Sequence, residues 1–338
     1  MPTSGPSDTR SKYVRIASKT SLLGRRRSGG RFTGSGIRFD GATCMQWTPG
    51  DRSNVEDYRG RSGMRLGGGL PIGLGGFVLL LVLSWATGTN WFALLGTGDG
   101  TPSESVGTTG KVTGSPAEER EVDFVDAVMK DVQATWQSLL NDRYEPTRVV
   151  LFRDATNSGC GFAQSATGPF YCPQDQRVYL DLGFFEELQQ RFGAPGDFAR
   201  AYVVAHEVGH HVQRLSGIEQ RVRNLQRSSP SDANALSVRM ELQADCFAGV
   251  WGHAAAQPGR AQNGQVELES GDVEEGLNAA AAIGDDRLQR MSNGRVAPDR
   301  FTHGSSEQRV EWFRRGLESG SPDACNTFGR GSAAEIRN

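Results

Sequence analysis

No two cysteines in the chain have the C-x-x-C spacing of a metal knuckle, which argues against a zinc ion held by thiolates. Histidine is scarce too, with five in 338 residues, at positions 206, 210, 211, 253 and 303. The basic N-terminal arm has few aromatics and no recognition motif, so a nucleic-acid partner is not expected. No internal repeat is visible. Charge is missing altogether from residues 66–98.

That charge-free stretch contains LPIGLGGFVLLLVLSWA and, after it, TGTNWFALL. Together they are long enough to cross a hydrocarbon core of about 30 Å, which predicts one transmembrane helix over 66–97. Trp85 and Trp91 suit its outer interface. A cleaved signal peptide fits less well, because SWATGTN is a poor cleavage site. A core helix this uniformly apolar would need a large domain around it. The net charge of -2 hides an asymmetry, since residues 1–65 carry thirteen Lys/Arg against five Asp/Glu. Positive charge before an apolar span orients it with the N-terminus in the cytoplasm. The expectation is a single-pass cell-membrane protein with its C-terminal domain outside the cytoplasm.

In such an oxidising space an even set of cysteines tends to pair. Cys160 with Cys172 would close a short loop, leaving Cys246 with Cys325 to tie a helix to the C-terminal tail. Free buried thiols are the alternative.

Residues 1–64, rich in Gly, Ser and Arg, read as a disordered basic tail. Residues 98–117 have linker composition. From 118 to 330 the pattern is that of one domain. Val122, Val125, Val128, Met129, Val132, Trp136 and Leu139 recur at helical spacing. RVVLF (148–152) and RVYLDL (177–182) read as short strands. Further helices are expected over 184–192, 195–215, 236–255, 272–291 and 305–317, the last with Ser305 and Gln308 in capping-box spacing. The fold class is therefore α+β, mainly α, with a small sheet.

The segment AYVVAHEVGHHVQ carries the chemistry. On a helix His206 and His210 project from one face, so both imidazoles can reach one zinc ion. Glu207 lies part of a turn away, placed to act as general base toward a zinc-activated water. A third ligand is needed. Glu241 and Asp245 are again four apart on a second, largely apolar helix, where a buried acid needs a partner. One of them could ligate while the other hydrogen-bonds a ligand histidine. A pair of solvated helix acids is the bland alternative. His303, before the last helix, is a candidate donor to a tetrahedral oxyanion or else makes a local hydrogen bond. Tyr179 and Tyr202 are weaker candidates for that donor. His211, five residues after His206, points away from the metal face, and it and His253 read as structural or solvent-exposed. The strand around 178–181 is a possible edge for an added peptide strand, or an ordinary paired strand.

HEVGHHVQ, ELQADCFAGVW, the upstream GPFYCPQDQRVYLD and the downstream FTHGSSEQRVEWFRRGLESG together resemble the bacterial putative neutral zinc metallopeptidases, a family of single-pass membrane proteins, over about residues 45–328. The resemblance implies a zincin-like, gluzincin-type domain. In it His206, His210 and Glu241 bind Zn2+, Glu207 is the base, and Asp245 orients a ligand histidine, His206. The family's opening pattern is matched by MQWTPGDRSNVEDYRG from Met45, so residues 1–44 are expected to come from an upstream start-site assignment. The function expected is zinc-dependent hydrolysis of peptide bonds in a peptide or protein substrate. The rival is a catalytically silent, membrane-anchored binding protein that keeps the fold. Glu207 favours the enzyme, since a purely structural metal site has no use for a base beside its ligands.

Overall fold

A computed structural model describes residues 45–60, 114–165 and 168–329. The expected tail 1–44, the anchor at 66–97 and nearly all of the linker lie outside the described residues. Among the described residues no helix is long and apolar enough to cross a membrane.

The elements run β1 (Val55–Asp57), α1 (Pro116–Leu140), β2 (Arg148–Phe152), β3 (Ala155–Ser158), β4 (Gly161–Gln164), β5 (Phe170–Cys172), β6 (Arg177–Asp181), α2 (Gly183–Gln190), α3 (Asp197–Leu215), α4 (Ile218–Ser228), α5 (Ala233–Ala255), α6 (Asp272–Ala282), α7 (Asp285–Asn293) and α8 (Ser306–Ser319). The expected α+β class, mainly helical with a small sheet, is what forms.

The main sheet has the order β1-β2-β6-β5, with β1, β2 and β6 parallel and β5 antiparallel to β6. β2 and β6 are short, continuous apolar runs because both faces are covered, as parallel strands require. Val149, Leu151, Val178 and Leu180 enter the main core with the helices. Val150, Phe152 and Tyr179 form a smaller cluster on the other face. β6 is paired with β2 along its whole length and with β5 over Arg177, Val178 and Tyr179, so the first part of the 178–181 stretch is an ordinary paired strand and not a free edge. β3 and β4 form a separate two-stranded hairpin in the stretch read as a loop.

The stripe on α1 buries Val122, Val125, Val128, Met129, Val132 and Trp136 completely, while Leu139 is left exposed near the helix end. Ser115 caps α1 and Pro116 occupies its first turn, where a missing N–H costs nothing. α8 starts in the expected capping box, with Ser305 and Gln308 bonding each other's backbone.

Three expectations need correction. Residues 45–60, placed in a disordered tail, are an integral part of the domain: β1 pairs with β2, Met45 is 3% exposed in the core, and Arg59 is 5% exposed. Their polar composition concealed this, because the arginines pair with α1 acids instead of being solvated. The single helix expected over 272–291 is two, α6 and α7, broken at Gly284, where a Cβ would collide with the Ser306 backbone. The helix carrying the histidines starts at Asp197, two residues late, since Gly196 takes a φ of 115°.

Both expected disulfides are present, Cys160–Cys172 and Cys246–Cys325. The second ties buried α5 to the turn after α8. α5 is the central helix, with α3 and α8 packed closely against it. Gly209 permits the first approach, because a Cβ there would lie 3.0 Å from the Ala244 carbonyl oxygen. Gly316 permits the second against Cys246, leaving no room for a side chain.

Candidate metal centre

The close packing of α3 on α5 brings His206, Glu207 and His210 from one helix against Glu241 and Asp245 from the other. Potential ligand atoms of His206, His210 and Glu241 all lie within 4.8 Å of one another. The two imidazole rings stand perpendicular with centroids 4.8 Å apart.

The hydrogen bonds around the rings decide which nitrogens face inward. Asp245 Oδ1 lies 2.8 Å from His206 Nδ1. A carboxylate can only accept, so Nδ1 carries the proton and Nε2 faces Glu241 Oε2 at 3.2 Å. Gln213 does the same for His210. Its Nε2 donates to the Met240 carbonyl at 2.7 Å and to Gln243 Oε1 at 3.1 Å, so its Oε1 is the acceptor, 2.9 Å from His210 Nδ1. His210 Nε2 then lies 3.5 Å from Glu241 Oε1. Gln243 is fixed in turn by donating to the Cys325 carbonyl at 2.9 Å, next to the second disulfide.

Asp245 is fully buried and is held from its far side by Arg309 on α8. Arg309 Nε donates to Oδ2 and Nη2 to Oδ1, each at 2.8 Å, and Tyr202 donates its hydroxyl to Oδ1. This bidentate guanidinium pair fixes the carboxylate plane as well as its charge. Burial opposes a charge on His206, but Asp245 and Glu241 outweigh it and push the imidazolium up to about 10. Burial would raise Glu241 as well, yet the two histidines hold it well below the usual carboxylate range.

Two imidazole nitrogens and a carboxylate aimed at one point, with both outer N–H groups already engaged, form the donor set that suits zinc. A divalent cation there would replace the proton that a hydrogen bond between His206 Nε2 and Glu241 requires. His210 and Glu241 remain partly exposed, which leaves the site open to water on that side. Glu207 is 7% exposed, and burial raises its carboxyl against the pull of both histidines.

His303 stands before α8 with its side chain half exposed. Its Nδ1 lies 3.0 Å from Thr302 Oγ1 and 3.3 Å from Asp285 Oδ1, while Asp285 Oδ2 takes the backbone N–H groups of Thr302, His303 and Gly304. Despite the cost of desolvation, Asp285 and Glu241 raise the His303 imidazolium. Tyr179 and Tyr202 do not fit the oxyanion role, because each hydroxyl is spent on a carboxylate, Asp175 and Asp245 respectively. His211 is completely buried between Tyr171 and the Glu145 carbonyl, which makes it structural. His253 bonds the Leu317 carbonyl. Arg309, Asp285, Gln213 and Gln243 went unnoticed in the sequence. The one signal for the first two was a charged residue inside a predicted helix with an apolar face.

The Escherichia coli (strain K12) protein "Uncharacterized protein YpfJ" is 48% identical over 295 residues, covering 85% of this chain and 99% of that one. The Mycobacterium tuberculosis (strain H37Rv) protein "Uncharacterized protein Rv2575" is 44% identical over 216 residues, covering 63% of this chain and 71% of that one. No solved structure matches. A family model described as "Putative neutral zinc metallopeptidase" matches residues 45–328, and with these findings the chain belongs to that family.

Proposed function

We propose that the protein hydrolyses peptide bonds in protein substrates, with a zinc ion held by His206, His210 and Glu241. The observation that carries this is the three-donor cluster within 4.8 Å, oriented by Asp245 and Gln213 and accompanied by a buried carboxylate, Glu207. When bound, zinc supplies a Lewis acid that polarises the scissile carbonyl and acidifies water.

The chain's own residues do the rest. The Glu207 carboxylate takes the proton from the attacking water and delivers it to the leaving amine. Its raised proton affinity suits a group that must hold a proton between those two steps. His303, kept in place by Asp285, donates to the oxyanion that develops on the carbonyl. Asp245 and Arg309 keep His206 in the Nδ1–H tautomer. The site works outside the cytoplasm in this reading, supported by the two disulfides, since the cytosol keeps thiols reduced.

The test is zinc content and cleavage of unfolded casein by the full-length chain, beside Glu207→Gln. Both should bind about one zinc, and the variant should lose roughly 10²-fold or more in kcat. If both bind zinc and neither cleaves casein or any unfolded protein tried, the silent binding protein is the better description.

A further inference from the structure

The apolar stretch 66–98 lies between two segments that fold together, and this conflicts with a single crossing of the membrane. On its N-terminal side, Val55, Glu56 and Asp57 of β1 pair in register with Val149, Val150 and Leu151 of β2. The ladder is continued by Val149 N–H to the Asn54 carbonyl at 2.9 Å and by Tyr58 N–H to the Leu151 carbonyl at 2.7 Å. Gln46 exchanges two backbone hydrogen bonds with Glu267. Asp126 on α1, completely buried, accepts from the backbone of Arg52 and Asn54 and from the Asn54 side chain. Arg52 reaches Glu119 and Asp123, each at 2.6 Å.

The two ends of the intervening chain also meet at one atom. Arg59 Nη2 lies 2.9 Å from Glu119 Oε1, and the Gly114 N–H donates to that same oxygen at 3.0 Å. Arg59 and Gly114, on either side of the apolar stretch, therefore stand side by side against α1.

Paired strands lie about 4.8 Å apart, whereas one crossing separates its flanks by a hydrocarbon layer of about 30 Å. Both cannot hold for the same chain. Nor does a second copy help, since with the same orientation its β1 would be on the wrong side too. The charge argument for a cytoplasmic N-terminus weakens as well. Arg52 and Arg59, which precede Arg61 and Arg65 on the N-terminal side of the apolar stretch, are neutralised by Asp57, Glu119 and Asp123.

We infer that residues 45–60 and 114–329 lie on the same side of the membrane. The inference stands on strand pairing and is independent of the peptidase reading.

The test uses the full-length chain with Cys44→Ser, in which the four remaining cysteines are engaged in disulfides. Single cysteines are added at Ser53→Cys or Ser138→Cys, both exposed and on opposite flanks of the stretch. After alkaline extraction confirms that the chain stays with the membrane pellet, spheroplasts are labelled with a membrane-impermeant maleimide before and after permeabilisation. The expected result is equal labelling at the two positions, with no gain on permeabilisation. Equal labelling that appears only after permeabilisation also upholds the shared side and moves the domain inward. Labelling that differs tenfold or more between the two positions overturns the inference, as does a chain released from the pellet.

Discussion

Replacing Arg309 by Met keeps the volume of the side chain and removes its charge, leaving Asp245 ionised, completely buried, and deprived of two hydrogen bonds of 2.8 Å. Breaking a buried ion pair from one side costs about 3–5 kcal/mol. In a domain of this size each kcal/mol moves Tm by roughly 2–4 °C, so the metal-free variant should melt roughly 6–20 °C below the metal-free wild type. Arg309 contacts no ligand atom that faces the metal point, so its second effect passes through Asp245. With that carboxylate free to turn, His206 loses its fixed tautomer, and zinc affinity should fall about 10- to 100-fold. Melting in EDTA and zinc competition against a chromogenic chelator measure the two effects separately. Adding Asp245→Asn to Arg309→Met removes the stranded charge and should recover part of the stability without restoring affinity. A metal-free Tm within 2 °C of wild type together with an unchanged zinc Kd would refute the positioning role.

Three further outcomes are expected. His303→Ala should retain its zinc and lose about 10²- to 10³-fold in kcat, the range for one oxyanion donor; Asp285→Ala should follow it in direction, and loss of zinc from either variant would contradict the assignment. Burial, against one backbone hydrogen bond from Glu269 and helped by Glu275 and Glu269, raises the Asp272 carboxyl from 3.8 to about 7. The folded state then binds that proton more tightly than the unfolded chain, so the stability it contributes is full below about pH 4 and is lost as pH rises to about 7; urea midpoints should show Asp272→Asn gaining on wild type from pH 5 to pH 8, and a pH-independent difference would count against it. Cutting the Cys246–Cys325 link, which spans 79 residues, by a double serine substitution should cost about 4.5 kcal/mol by loop entropy, against about 3 for Cys160–Cys172, which spans 12; denaturant unfolding of the two variants ranks them.

The cluster of His206, His210 and Glu241 was legible because its logic is local, a spacing of four on one helix face and a carboxylate on another helix too apolar to be a surface one. The strands β2 and β6 were legible for the same reason, as apolar runs of the right length. What escaped depends on partners remote in the chain. Arg309 looks like one more charge in RVEWFRRG until α8 lies on α5 and delivers it to Asp245, 64 positions away. Asp285 reads as one more acid inside a single helix over 272–291, yet it clamps the loop holding His303. Gln213 and Gln243 carry no signal, because glutamine is as common on surfaces as in such relays. β1 escaped because three residues in a polar context make no pattern of their own, and only the β2 edge gives them a place.

Strand β1 also imposes a wait during synthesis. Val55 leaves the ribosome roughly ninety residues before Val149, its partner in register, which at 5–20 residues per second is about 5–20 s. Through that interval the most hydrophobic part of the chain emerges while β1 has nothing to pair with. Closure of the sheet thus comes after the apolar stretch has met whatever receives it, and a chain begun downstream of 114 would leave the β2 edge open to other strands.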